Sequence, residues 1–191
     1  MEKKAEHRTR PVAAADRRKG EGELERRLRQ SELLLGVSMK LAAIDSLDEI
    51  LQALVEMTSL ELGAERASLF LNDSQTGELY SIAAQGNFKR RIRILNTSGI
   101  AGHVFQTGKG IIVHDVYKEE LFNREVDKET GYRTRNLVCT PVRTAKGEII
   151  GVAQVLNKRK GKFTPQDLEL LEAMTMQAAI ALQGAQFIEK M

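Results

Sequence analysis

The chain has 191 residues, of which 42% are hydrophobic, so it can bury the core of one domain and carry helical extensions. Its net charge is +3, and residues 1–30 hold 10 Lys and Arg against 6 Asp and Glu, a balance of +4 that leaves −1 for residues 31–191. A nucleic-acid-binding domain is expected to carry a basic face on its folded part. We therefore expect no nucleic-acid partner.

The chain contains no apolar run near the roughly 20 residues that span a bilayer, so no membrane segment is expected. The charged N-terminus is not followed by an apolar stretch, which argues against a secretory signal. The only cysteine, Cys139, has no partner for an internal disulfide, and this favours a cytoplasmic protein.

The N-terminal region divides into two predicted segments. Residues 1–22 combine charge with small residues and are expected to form a disordered basic tail. Residues 23–45 are expected to form a helix, because Leu34, Val37, Leu41 and Ile44 recur at the spacing of one helical face. That face needs an apolar partner, which is either a second copy of the chain or the body of its own domain.

A main domain is predicted over residues 46–185. It begins with a helix capped by a Ser46–Glu49 capping box and ended by Gly63. Alternating residues then predict a hairpin over 67–84, a strand over 91–94, a short strand at 111–113 and a second hairpin over 137–156. A short helix is predicted from Gly99, and residues 114–135 form a polar loop of the length expected for a lid.

The last predicted element is a long helix over residues 165–191, with Thr164 as its N-cap and Pro165 at its first position. Its pattern continues to the last residues, which suggests a further output module beyond it. Grouped strands with helices at the ends predict an α+β fold, an antiparallel sheet with helices packed on one face and long N- and C-terminal helices.

A search for catalytic chemistry identifies no candidate. His7, His103 and His114 do not sit at metal-ligand spacing, and Cys139 lies in an apolar strand where burial makes a thiol inert. We expect no metal site, no catalytic residue and no bound cofactor, so the chain is not predicted to be an enzyme.

One group of residues points to binding. Gly99 to Gly102 open a short helix, and the free N–H groups of a helix start favour an anion. The polar loop beyond it could cover a charged small molecule. The alternative is that the glycines only permit tight packing and that the loop is solvated.

The sequence resembles GAF domains over roughly residues 40–185. The similarity lies in Gly99-Ile100-Ala101-Gly102-His103-Val104, in the run from Val126 to Pro141 and in Val155-Leu156-Asn157-Lys158. These motifs are similar to those of the cyclic-nucleotide-binding GAF domains of phosphodiesterases and cyanobacterial adenylyl cyclases. That group also carries an Asn-Lys…Phe…Asp-Glu pattern, represented here by Asn157, Lys158, Phe163 and Asp167, with Leu168 in place of Glu.

The resemblance implies a ligand site and a structural ion pair. The ligand-binding residues that it implies are Ser68, Gln85, Ile100, Ala101, Asp127, Thr130, Thr134 and Gln154. The backbone of Ile100 and Ala101 would meet a phosphate, and Lys158 and Asp167 would pair beside the pocket.

We therefore expect a regulatory domain that binds a small molecule, with cyclic AMP or cyclic GMP as the leading ligand. The bound state would be relayed through the flanking helices of a homodimer. The alternative is a GAF scaffold for dimerisation or protein contact that has no nucleotide ligand. An enzyme such as a GAF-type methionine sulfoxide reductase would need several cysteines, whereas this chain has one.

Overall fold

The computed structural model describes residues 12–44, 46–85 and 92–189. The helices are α1 Val12–Leu41, α2 Leu47–Glu61, α3 Gly99–Thr107, α4 Arg124–Thr130 and α5 Pro165–Glu189. The strands are β1 Ala64–Asp73, β2 Glu78–Ala84, β3 Arg93–Leu95, β4 Ile111–Val113, β5 Leu137–Arg143 and β6 Ile149–Lys158, and a 3-10 turn spans Val116–Lys118.

The six strands form one sheet in the order β3-β2-β1-β6-β5-β4. All the strand pairs of the described residues are antiparallel, and the two central strands, β1 and β6, pair from Ala64↔Lys158 to Leu71↔Gly151. The predicted α+β class with an antiparallel sheet is therefore confirmed. Both predicted hairpins are present as β1-β2 and β5-β6.

The two faces of the sheet bury different elements. On one face, Ala67 and Leu69 of β1 approach Leu54 of α2 and Met174 of α5, so the two long helices that bracket the sheet in sequence cover it. On the other face, Phe70 packs in a cluster that includes Ile100 and Val104 of α3 together with Val152 of β6. The second face positions the candidate site, because the short helices α3 and α4 lie over it.

Gly151 marks the close approach between β1 and β6 that its position inside a strand suggested. A Cβ atom built on Gly151 would overlap the carbonyl oxygen of Phe70. Glycine is therefore required for the two central strands to pair at this point.

Helix α1 begins earlier than predicted. The structure has helix from Val12, where the sequence pattern predicted disorder up to residue 22 and a helix only from Glu23. The reason is that alanines and long charged side chains have high helix propensity even without an apolar stripe. Residues 1–11 of the predicted tail, with His7, lie outside the described residues, as do Arg91 of the predicted third strand and residues 190–191 of the predicted last helix.

The contacts of the described residues divide α1 between two compact units, with the boundary between Gly36 and Val37. In the second unit, Val37 and Leu41 are buried, so this part of the predicted stripe packs on its own domain. In the first unit, Leu24, Leu28 and Leu35 are 58–69% exposed. At 100° per residue these three positions fall within a sector of about 40°.

Two helix starts differ in how they are capped. Thr164 caps α5 as predicted, because its hydroxyl oxygen accepts a hydrogen bond from the Asp167 N–H at 3.3 Å. Ser46 precedes α2 as predicted, but its side chain makes no capping hydrogen bond, so the predicted capping box is wrong. The predicted loop 114–135 also contains the short helix α4, whose start is capped by the Asn123 side chain.

Among the described helices, none combines the length and the apolar character that crossing a membrane requires.

Candidate functional site

A cavity of about 80 Å³ lies between the second face of the sheet, the start of α3 and the inner side of α4. Strands β1, β5 and β6 form its floor with Phe70, Leu137, Gln154 and Leu156. The remaining lining residues come from the chain before and within α3 and from the covering segment, residues 116–136, which includes α4: Ile92, Ile94, Ser98, Gly99, Ile100, Ala101, Phe122, Asn123, Val126, Asp127 and Thr134. The lining is apolar apart from a few hydroxyl and amide groups and one carboxylate, Asp127.

The start of α3 presents backbone donors to this cavity. The first helical hydrogen bond runs from the Gly102 N–H to the Ser98 carbonyl at 3.1 Å, and the Ser98 side chain does not cap the helix. The N–H groups of Ile100 and Ala101 therefore have no acceptor among the described residues. Both residues are at most 4% exposed. Buried donors of this kind at a helix start favour an anion.

Gly102 allows the turn before α3 to approach the helix. A Cβ atom on this residue would lie 2.8 Å from the carbonyl carbon of Thr97. The glycine pair in the predicted motif therefore has a packing role at Gly102, and the free donors lie at the two residues between the glycines. A packing role for Gly102 does not exclude binding at this helix start, which stays a prediction.

Asp127 connects three parts of the cover. Its Oδ1 accepts a hydrogen bond from the Thr134 hydroxyl at 2.7 Å, and its Oδ2 accepts from the Thr134 N–H at 2.7 Å. Oδ2 also accepts from the Tyr117 hydroxyl at 2.9 Å, and this bond raises the pKa of Tyr117. Thr134 is 3% exposed. The carboxylate thus holds α4 to the 3-10 turn and to the chain that leads into β5.

Five of the eight ligand-binding residues implied by the sequence line the cavity: Ile100, Ala101, Asp127, Thr134 and Gln154. Three do not. Ser68 pairs with Gln154 across β1 and β6 but is absent from the lining, and the Gln85 side chain accepts the Ala67 N–H at 2.9 Å. The Thr130 hydroxyl donates to the Val126 carbonyl at 2.7 Å within α4.

Cys139 lies under the cavity in β5, paired with Gln154 of β6. It is fully buried, and burial raises the pKa of its thiol. A thiol in this environment stays protonated and is a poor nucleophile. The described residues also contain no group of three or more His, Cys, Asp or Glu side chains that could hold a metal ion.

Next to the cavity, a network of hydrogen bonds links the end of β6 to the covering segment. The Tyr132 hydroxyl donates to Glu65 Oε2 at 2.8 Å, and Arg135 Nη2 donates to Glu65 Oε1 at 2.6 Å. The Asn157 amide donates to Glu65 Oε2 at 3.0 Å. Burial alone raises the pKa of Glu65, but the hydrogen bonds from these three side chains lower it to about 2.

The predicted ion pair is present at the start of α5. Lys158 Nζ donates to Asp167 Oδ1 at 2.8 Å, and the two side chains are 17% and 15% exposed. Asp167 Oδ2 accepts from the Thr164 N–H at 2.9 Å, so the same carboxylate fixes the first turn of the helix. Leu168, which stands where the family pattern has Glu, faces Gly110: a Cβ atom on Gly110 would lie 2.7 Å from its Cδ1.

Sequence analysis missed three parts of the site. Tyr117 and Glu65 were assigned no role, and Asn157 was noted only as one residue of the family pattern. Tyr117 and Glu65 carried no local signal, because their partners are far apart in sequence or on other elements. Helix α4 was also missed, although it did carry a local signal. Asn123 before the helix and Gly131 after it are the usual N- and C-terminal signals.

The GAF domain family model matches residues 46–182, and the chain belongs to the GAF domain family. The chain is 33% identical over 159 residues to the probable 3',5'-cyclic phosphodiesterase pde-5 of Caenorhabditis elegans. The matched region covers 77% of this chain and 22% of that protein. It is 32% identical over 154 residues to the dual 3',5'-cyclic-AMP and -GMP phosphodiesterase 11 of Drosophila melanogaster, covering 72% of this chain and 11% of that protein.

The chain thus spans about a fifth or less of the length of these two relatives. The fold is also that of the GAF domain from a phosphoenolpyruvate-protein phosphotransferase of Coxiella burnetii. The TM-score is 0.75 at 19% identity, covering 86% of this chain and 98% of that one. At this level of identity the similarity is one of fold.

Proposed function

We propose that this GAF domain is a regulatory sensor that binds a cyclic nucleotide in the cavity between the sheet and α3. The observation that carries the proposal is the geometry of that cavity. It has buried backbone N–H groups at Ile100 and Ala101, which meet no acceptor in the described part of the chain, on one side and the Asp127–Thr134 pair on the other. Relatives whose names include cyclic nucleotide phosphodiesterase support the same ligand class.

Each lining residue has a proposed role. The N–H groups of Ile100 and Ala101 hold the phosphate, since a helix start supplies both donors and a favourable dipole. Phe70 and Leu156 provide apolar contact for the base, and Gln154 offers an amide that can donate and accept. Asp127 and Thr134 close the site.

Binding requires the cover to move. The cavity of about 80 Å³ is smaller than the roughly 300 Å³ at which small-molecule pockets begin. A nucleotide therefore has to displace α4 outward from the sheet. The cover then closes over the ligand through Asp127 and Thr134, and the ligand can favour this closed, ligand-bound arrangement by no more than its preference for it over the other arrangements. The cover then changes its contacts with the sheet, and the flanking helices relay that change.

The test is a thermal-shift and calorimetry panel with cyclic AMP and cyclic GMP. Ligand at 100 times its dissociation constant should stabilise the domain by about 2.7 kcal/mol, which is an easily measured shift in Tm. Adenosine and guanosine, which lack the phosphate, serve as matched controls. The absence of any shift with either cyclic nucleotide at millimolar concentration would reject this ligand class.

The second candidate function is a dimerisation scaffold, alone or together with ligand binding. It is favoured by the exposed apolar stripe of α1 in the first compact unit, formed by Leu24, Leu28 and Leu35. Exposed apolar residues aligned on one helical face usually pack against a partner helix. We propose a second copy of this chain as that partner.

A further inference from the structure

We propose that Asn157 is a positioning residue that sets the covering segment over the cavity without touching a ligand. The part of the covering segment in question is residues 132–136, which contains Thr134. The inference deepens the proposed function and rests on it only for the role of the cavity. Its test by hydrogen exchange stands whether or not a nucleotide binds.

The backbone of this segment is held by a side chain where strand pairing stops. The β5-β6 ladder begins at Leu137↔Leu156, so residues 133–136 lie beyond it. Here the Asn157 Oδ1 accepts the Arg135 N–H at 2.7 Å, and Nδ2 is 3.0 Å from the Arg133 carbonyl oxygen. One amide side chain therefore provides the donor and the acceptor that a neighbouring strand would otherwise supply.

Asn157 has the backbone conformation that this role requires. Its φ is 59°, and it is the only non-glycine residue among the described ones with a positive φ. The residue is completely buried. Asparagine tolerates the left-handed region better than other non-glycine residues. The strained conformation turns the side chain away from the ladder and towards the covering segment.

The other end of the Asn157 amide is anchored to β1. Its Nδ2 lies 3.0 Å from Glu65 Oε2 and 2.8 Å from the Tyr132 hydroxyl. The charged and titratable groups that face this cluster are Glu65 and Arg66 from β1 and Tyr132 and Arg135 from the covering segment, with the Arg66 guanidinium 3.8 Å from the centre of the Tyr132 ring. Glu65 is thus the acceptor that fixes the orientation of the amide.

Asn157 is linked to the cavity through two adjacent residues, Arg135 and Thr134. Arg135 is bonded to Asn157, and its neighbour Thr134 gives both its N–H and its hydroxyl to Asp127. On the other side, the Arg135 carbonyl accepts the Val116 N–H at 3.0 Å. A change at Asn157 therefore alters the register of Thr134 against Asp127.

The chemistry of the cluster yields a test that a general packing role does not share. Asn157→Asp keeps the size and tolerates the same φ, but it removes the donor to Glu65 and to the Arg133 carbonyl and places a second carboxylate beside Glu65. Two ionised carboxylates at this distance repel each other, so one takes a proton more readily as the pH falls and then donates to the other. The defect should therefore be large at about pH 7.5 and partly relieved at about pH 5, because one proton restores the bond to Glu65 but not the one to the Arg133 carbonyl.

The measurement is amide hydrogen exchange of residues 132–136 in the full chain, expressed as the ratio of variant to wild type at each pH. Asn157→Asp should exchange about tenfold faster than wild type at about pH 7.5, and this ratio should fall at about pH 5. Asn157→Gly, which keeps the positive φ and has no side chain, should exchange faster at both. Peptides from α2 serve as the internal control.

A compensating pair completes the test. Glu65→Gln combined with Asn157→Asp moves the amide to β1 and the carboxylate to β6, and should slow exchange at about pH 7.5 relative to Asn157→Asp alone. Two outcomes would overturn the proposal. One is an equal exchange rate of residues 132–136 in all variants and wild type. The other is a faster exchange in Asn157→Asp that neither low pH nor Glu65→Gln relieves. If cyclic nucleotides fail to bind but exchange behaves as stated, only the proposed ligand is rejected.

Discussion

Asp127 and Thr134 form a two-point contact, in which the threonine donates both its hydroxyl and its backbone N–H to the two oxygens of one carboxylate. They lie seven residues apart, on either side of the turn that ends α4. Both line the cavity. The contact closes the covering segment on itself, so the segment is held together as one folded unit.

We expect Asp127→Ala and Thr134→Ala to weaken nucleotide binding while leaving the fold intact. Each removes at least one of the hydrogen bonds that order the cover, and such bonds contribute about 1 to 3 kcal/mol when a charged group takes part. Affinity should therefore fall between about fivefold and 150-fold in calorimetry.

Matched controls lie on the same segment. Thr130→Ala removes a hydroxyl that bonds within α4 and does not line the cavity, and Glu125→Ala removes an exposed carboxylate paired with Lys128. Both should bind like wild type. Affinities of the Asp127 and Thr134 variants that match these controls would contradict the assigned roles.

A second prediction concerns the charge of the ligand. None of the residues that line the cavity carries a positive charge, and Asp127 contributes a negative one. A cyclic phosphate diester carries one negative charge, whereas a 5'-monophosphate carries about 1.5 to 2 at neutral pH. Competition binding should therefore favour the cyclic nucleotide over the matching 5'-monophosphate by about tenfold or more. Equal affinities would show that a cationic group outside the present lining reaches the phosphate.

Breaking the ion pair at the start of α5 should cost stability. Lys158→Met leaves the Asp167 carboxylate, which is 15% exposed, without its cation, and the expected loss is about 1 to 3 kcal/mol in urea unfolding. Asp167→Ala should cost more, because it also removes the acceptor for the Thr164 N–H. Lys160→Met, at an exposed lysine nearby, is the control and should have little effect.

The network at Glu65 predicts a pH dependence of stability. The pKa of Glu65 is lowered from its ordinary value of 4.5 to about 2, so the ionised form stabilises the folded state. This contribution is complete above pH 4.5 and disappears as the pH falls towards 2. Because a third of the side chain is exposed, we expect only about 1 to 2 kcal/mol.

The measurement is the free energy of urea unfolding for wild type and Glu65→Gln. The difference should be greatest above about pH 5 and shrink to near zero at about pH 2. A constant difference across this range would mean that Glu65 acts through packing and not through its charge.

The exposed stripe of α1 should control self-association. Leu28→Lys and Leu35→Lys place charges in the middle of that stripe and should shift the protein to monomer in sedimentation velocity. Leu60→Lys is the matched control, because Leu60 is a 76% exposed leucine on α2 outside the stripe. A wild-type protein that is monomeric at about 100 μM would reject a dimer of useful strength.

Most of the fold was predictable because its signals are local. Three predicted features each depend only on neighbouring residues. They are the strand alternation at 67–71 and 137–143, the helix start at Thr164-Pro165 and the Gly99 segment that faces the cavity. The capping box at Ser46 failed although its sequence is standard, since the side-chain rotamer is decided by packing and solvent. Helix α4 was missed because it buries no residue and so leaves no apolar periodicity.

The role of Asn157 could not be predicted because its partners are distant in sequence. Glu65 is 92 residues away, and Arg135 is 22 residues away. Nothing near Asn157 indicates either contact. The family pattern includes Asn157, but only the structure shows its contacts. Its amide makes the backbone hydrogen bonds that a neighbouring strand would otherwise supply. Long-range polar contacts of this kind are the part of a site that periodicity does not report.

The contact between Leu168 and Gly110 constrains how this chain and its relatives can diverge. Any side chain at position 110 would meet the leucine methyl group at 2.7 Å. The two positions should therefore covary in an alignment: a bulkier residue at 110 requires a shorter or more flexible one at 168. The glutamate of the family pattern, whose chain is longer and unbranched at Cγ, would leave more room there.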